Sequence, residues 1–170
     1  MKRLLFAAMM LLIGVLTCQA QDDQRNTQYA QPQGRFGLGA VIGEPTGIAW
    51  KYRMNSVNAL DGAIGFSPYN AYRVHVDYLW QSHPFDEYNL AMHYGAGVAF
   101  GSGRTTYYSN NGGVLFRNQE VGFGLRGVIG LNYLIKRSPV DLFFDFAPLI
   151  VLTPNSTSGI DLGFGARVYF

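Results

Sequence analysis

The residues with the greatest chemical reach are three histidines, His75, His83 and His93, together with the carboxylates around them. His75 and Asp77 are two positions apart, and on a β-strand that spacing puts both side chains on one face. A carboxylate orients an imidazole, and a serine within hydrogen-bond reach would complete a hydrolytic triad. The nearest serine in such a scheme, Ser67, falls at the far end of the preceding strand, several residues from His75. His75, Asp77 and His93 also have the ligand types of a metal site, but packing and hydrogen bonding explain them more simply. His83, beside Pro84, reads as an exposed turn residue. This reading assigns no catalytic residue, no metal ligand and no cofactor.

A second set of groups is larger. Lys51, Arg53, Arg73, Arg126 and Arg167 share one face of the alternating pattern with Asp61, Asp77, Asp141, Asp145 and Asp161. Charges withdrawn from bulk water must pair or suffer a large desolvation penalty. Counting back from the turns puts Lys51 beside Asp61, and Asp145 between Arg126 and Arg167. With His75 and His93 these ten residues form an expected internal ion network.

The elements that carry them have a period of two from Arg35 onward. Ile160, Leu162, Phe164, Ala166, Val168 and Phe170 fall on one face, with Asp161, Gly163, Gly165, Arg167 and Tyr169 on the other. Alternate side chains of a strand point to opposite sides, so one face is continuously apolar. The same test succeeds for Phe36–Ile42, Ile48–Met54, Leu60–Phe66, Tyr72–Trp80, Leu90–Phe100, Val121–Tyr133 and Leu142–Ile150. That makes eight strands. Glycine lies within the dinucleotide-like run Gly122-Phe123-Gly124, but this run sits inside a strand and opens no helix.

Composition narrows the class. Of the 170 residues, 14 % are charged, 15 % are aromatic and 21 are glycine. Such a chain is too aromatic and too poor in charge to be disordered, and a sole cysteine, Cys18, excludes a disulfide scaffold. Lys2 and Arg3 precede an apolar run from Leu4 to Leu16, with Cys18-Gln19-Ala20 behind it. The run is too short to span a bilayer as a helix and reads as a secretory signal peptide, residues 1–20, cleaved after Ala20. Thr17 is a poor residue before a lipidated cysteine, so acylation of Cys18 is the weaker alternative. Residues 21–34 read as a mobile polar periplasmic leader and 35–170 as the folded domain. Of 13 basic and 11 acidic residues, Lys2 and Arg3 leave with the signal, so the remainder balances at 11 against 11. No general basic field remains to hold nucleic acid.

Two architectures use eight alternating strands. A soluble sandwich or lipocalin-like barrel turns its apolar face inward, whereas an outer-membrane barrel turns it to lipid. The glycines on the polar faces suit a cramped lumen, aromatic residues near both strand ends suit interfacial girdles, and Phe170 ends the closing strand on the apolar face. An all-β, eight-stranded antiparallel up-and-down transmembrane barrel is expected. Short turns at Met54–Val57, Ser82–Glu87 and Lys136–Pro139 would be periplasmic. The turn at Glu44-Pro45, Ser67–Asn70, the long segment Gly101–Gln119 and Thr153–Ser158 would face outside. Tyr107 and Tyr108 in the long loop suit a surface contact or a lipid-headgroup anchor, and the sequon at Asn155-Ser156-Thr157 is expected to stay unmodified.

The order of several short motifs carries a resemblance. The turn Gly43-Glu44-Pro45-Thr46-Gly47 leads into Trp50-Lys51-Tyr52, followed by His75-Val76-Asp77-Tyr78-Leu79-Trp80, Gly130-Leu131-Asn132-Tyr133-Leu134 and the end Gly165-Ala166-Arg167-Val168-Tyr169-Phe170. From Arg35 to Phe170 the chain resembles the family of small, functionally uncharacterised bacterial outer-membrane β-barrels, similar in architecture to OmpX-type proteins. The resemblance implies a fold and a location but no activity. It also implies that Phe164, Ala166, Val168 and Phe170 form the signal read by the barrel-assembly machinery. The expected partners are therefore outer-membrane lipids and, during insertion, that machinery; the expected state is a monomer. An eight-stranded bore holds little more than its own side chains, so a lumen plugged by ion pairs is expected, with a structural or surface-interaction role. Lipid A acyl chemistry is the alternative, and a narrow channel comes third.

Overall fold

A computed structural model describes residues 30–67, 71–85, 87–103, 106–108, 114–116, 120–153 and 157–170. The signal-peptide reading and the first part of the polar leader lie outside those residues, as do Asn155 and Ser156 of the sequon. Ten strands run in chain order: β1 (Phe36–Gly43), β2 (Thr46–Arg53), β3 (Asn58–Ser67), β4 (Ala71–Ser82), β5 (Leu90–Gly103), β6 (Thr106–Tyr108), β7 (Val114–Phe116), β8 (Glu120–Leu134), β9 (Val140–Thr153) and β10 (Thr157–Tyr169). Eight of them close a barrel in the order β1-β10-β9-β8-β5-β4-β3-β2, while β6 and β7 pair only with each other. All neighbours are antiparallel. The eight-stranded up-and-down barrel is therefore as expected, with a small hairpin added inside the long loop.

The connections group at two ends. At one end lie 54–57, 83–85, 87–89 and 135–139, with Phe170 beside them; the turn between Gly43 and Thr46 lies opposite, with the ends of β3 and β4, β5 and β8, and β9 and β10. Two of the short turns begin or end a residue or two away from the expected bounds, as strand ends usually do. The seam closes where Gly37 faces Tyr169 and Gly43 faces Gly163.

Alternation decides what faces where. Lys51, His93 and Arg167 are wholly buried inside the bore, whereas Ile42 and Phe170 are each 70 % exposed on the outside. A water-soluble protein buries its large apolar side chains; this one presents them outward along every barrel strand. Aromatic clusters mark both ends of that outer band. Tyr78 and Trp80 meet at 4.9 Å, and Trp80 stacks on Tyr94 at 5.9 Å, near the short-turn end. Phe66 with Tyr72 and Phe100 with Phe123 form the corresponding contacts at the opposite end. The lumen is not wholly polar. Small apolar clusters sit between the charges, one of Val41, Ala49, Ala63 and Phe143, the other of Ala59, Leu79, Val128 and Ala147.

One glycine shows how tightly the interior is filled. A Cβ at Gly130 would stand 2.5 Å from His93 Nε2 and 2.6 Å from Asp145 Oδ1, and would also press on the Phe144 carbonyl. Backbone cannot yield there, so Gly130→Ala is expected to lower the urea midpoint of the folded protein, whereas alanine at Gly159, with open space around it, should leave it unchanged.

Candidate functional site in the barrel lumen

Strand pairing brings the inward charges into two clusters along the bore. Near the short-turn end, Arg167 Nη1 donates to Asp61 Oδ1 at 2.8 Å and its Nε to Asp141 Oδ1 at 3.2 Å. The Arg167 guanidinium also lies 3.9 Å above the Phe143 ring, a cation–π contact in a desolvated setting. Asp141 Oδ2 accepts from Asn132 Nδ2 at 2.8 Å and from the Tyr169 hydroxyl at 3.2 Å. Lys51 donates to Asn132 Oδ1 at 3.1 Å, although the register sets it opposite Asp61. Asn132 thus links the lysine to the carboxylate, its amide matching both neighbours at once.

Nearer the long-loop end, Arg73 Nη1 holds Glu44 Oε2 and Asp161 Oδ1, each at 2.9 Å. Arg126 reaches Asp161 Oδ2 at 3.2 Å and comes within 2.9 Å of Asp77 Oδ2 through Nε. That second approach is an ion pair without an aligned hydrogen bond, since Nε finds no acceptor in proper geometry. His75 Nε2 is 3.8 Å from Asp77 Oδ2, too long for a hydrogen bond. A void of about 10 Å³ between the clusters, lined in part by His75, Asp61 and Asp145, has room for roughly one water.

Several expectations are corrected. Asp145 is not the shared partner of Arg126 and Arg167: it faces Gly130 and Gly163, while Arg126 faces Leu149 and Arg167 faces Asp141, each four residues away along the strand. Its partner is His93, whose Nε2 is 2.7 Å from Asp145 Oδ1, and a bond that short has a proton between the two atoms. His93 and His75 do not share a site either. His75 faces Ala99 and His93 faces Gln81, a separation of roughly 20 Å along the strand at the usual rise, and among the described residues no trio of metal-ligand side chains comes together. Ser67 faces Ala71 while His75 faces Ala63, so the backbone sets the serine four residues further along. His83 is buried, at 7 % exposure, rather than an open turn residue; it lines a cavity of about 40 Å³ at the short-turn mouth. Among the described residues Arg53 makes no carboxylate pair. Its Nη1 donates to the Pro32 carbonyl at 2.9 Å, and the Ala30 amide donates to the Tyr88 carbonyl at 3.0 Å, so this stretch of the leader is tied across the mouth.

Glu44, Asn132 and Tyr169 complete the clusters and were absent from the expected network. Asn132 and Tyr169 have the inward parity of their strands, which is signal enough; Glu44 sits in a turn, where parity says nothing.

No family model matches the chain, and no curated protein matches it. Among solved structures, the crystal structure of Neisserial surface protein A (NspA) aligns with a TM-score of 0.46 and 18 % identity, covering 79 % of this chain and 93 % of that one. The chain itself is a closed eight-stranded antiparallel barrel.

The new partner of Asp145 changes what its loss should do. Asp145→Ala is expected to cost about 1–3 kcal/mol, the penalty for stranding one buried hydrogen-bond partner. In double-mutant cycles it should couple more strongly with His93→Leu than with Arg167→Met. Strong coupling to Arg167 would restore the arginine pairing and discard this one.

Proposed function

We propose that the protein is an integral outer-membrane barrel whose lumen is closed by its own ion pairs, and that its role is structural or lies in surface interaction rather than transport or catalysis. One observation carries the reading: the barrel is inverted, with wholly buried Lys51 and Arg167 inside and an apolar belt outside. In water that belt would be an aggregation-prone surface; in lipid it is the required one. The aromatic pairs near both ends sit where headgroups would be. Paired charges across so narrow a bore, with a void of about 10 Å³ between the clusters, support a lumen closed to ions. The short turns and leader would face the periplasm, and the long loop between β5 and β8 the outside, where the surface role would reside.

The test has two parts. Cell fractionation should recover a heat-modifiable species in the outer membrane, and the purified protein in planar bilayers should give no sustained porin-like conductance. Stable large openings would refute the closed lumen, and recovery as a soluble periplasmic protein would refute the membrane reading. Lipid A isolated from cells with and without the protein should have the same acyl pattern; a changed pattern would establish the enzymatic alternative.

A further inference from the structure

A groove of about 520 Å³ opens at the short-turn end, between the leader residues 30–33 and the β8–β9 connection. It is the size of a small-molecule site and far larger than the void in the lumen. Three features give it a chemical character. Lys136 and Arg137 line it side by side, are exposed, and have no ion pair among the described residues. Asn89 lines both this groove and the cavity at the mouth, is 6 % exposed, and among the described residues its Nδ2 has no hydrogen-bond partner. A buried amide donor left unpaired costs free energy unless something accepts from it. Two exposed cations on a groove that Asn89 also lines suit an oxyanion.

We infer that this groove holds the phosphate of an anionic phospholipid headgroup. The inference rests on the membrane reading proposed above, which sets this end at the inner leaflet. The third feature selects a lipid over a free ion. Ile135, which lines the groove, has the same parity as Tyr133 and Leu131, and all three are exposed on the outer face of the barrel. A headgroup seated between Lys136, Arg137 and Asn89 would therefore have its acyl chains laid directly along the lipid-facing surface of β8. Asp141 near the inner wall does not oppose the anion, because Arg167, Asn132 and Tyr169 already surround it.

The decisive experiment releases the full mature protein from vesicles of mixed phosphatidylethanolamine and phosphatidylglycerol and counts retained lipid by native mass spectrometry. Wild type should retain phosphatidylglycerol selectively. A surface cation contributes roughly fivefold to anionic-headgroup affinity, so Lys136→Gln with Arg137→Gln should lower retention roughly 25-fold, and Asn89→Leu should also lower it. Excess inorganic phosphate should not displace the lipid. Equal retention by wild type and the double variant overturns the site, and displacement by phosphate alone overturns the lipid as its occupant. The heat-dependent gel shift is read on every sample. Its loss in wild type would fail the barrel reading itself, whereas its persistence with unchanged lipid retention fails only this inference.

Discussion

Arg167→Met is expected to cost the folded barrel about 3–5 kcal/mol, the usual range for stranding the partners of a buried charge. The arginine is wholly buried, bridges Asp61 on β3 to Asp141 on β9, and stacks on Phe143. Methionine fills much of its volume but leaves Asp61, among the described residues, with the adjacent Gly62 amide as its one hydrogen-bond donor. Asp141 retains Asn132 and Tyr169, so most of the penalty falls on Asp61. Adding Asp61→Asn to Arg167→Met should therefore recover part of the loss, because a neutral amide needs no counter-charge. Arg167→Lys should fall between the two, since one ammonium cannot reproduce a fork directed at two carboxylates. Urea titration in detergent, read from the unfolding midpoint, checks the series. An unaltered midpoint for Arg167→Met would show that the lower cluster contributes nothing to stability.

Deleting Phe170 is expected to remove most of the folded, heat-modifiable protein from the outer membrane and to increase its periplasmic degradation. Phe170 secures the seam by several contacts. Its amide donates to the Phe36 carbonyl at 3.0 Å, the Phe36 amide donates back at 3.4 Å, and the two rings meet edge to face at 5.6 Å. The phenyl ring also lies on the outer face at the short-turn end of the barrel, and aromatic side chains are favoured at a membrane interface. Tyr169→Phe, by contrast, removes one hydroxyl from an Asp141 that keeps other donors, a change of roughly 1 kcal/mol. Quantitative blotting of membrane and periplasmic fractions separates the two outcomes. Normal assembly without Phe170 would deny that residue a part in sorting.

The strands were legible because their pattern is dictated locally. Ile160 through Phe170 alternate without a break, and the structure turns those residues in and out in that order. Turn chemistry at 43–47 and 54–57 likewise fixed the first hairpins closely enough to set Lys51 opposite Asp61. What could not be read was which charges meet across the bore. Arg73 reaches Asp161 and Arg167 reaches Asp61 over chain separations of 88 and 106 residues, and neither pair lies on neighbouring strands. Counting residues from a turn describes one hairpin and says nothing about the far wall. Around Asp145 the count itself slipped: one unbroken register from Leu134↔Asp141 to Arg126↔Leu149 sets Asp145 opposite Gly130, four residues along the strand from the level of either arginine. His83 was misjudged for another reason. Proline beside it signals a turn, but burial there depends on the leader folding across the mouth.

The strands also differ in length. β1 and β2 have 8 residues each, against 15 in β8. At about 3.3 Å per residue and a tilt near 40°, the shorter wall rises roughly 20 Å, less than the usual 25 Å apolar height of such barrels. Hydrophobic mismatch of this kind is relieved when lipids compress locally or the whole cylinder leans. Because the deficit is confined to one side, the membrane beside the β1–β2 hairpin would be the thinnest around the circumference, and that is also the side on which the barrel closes.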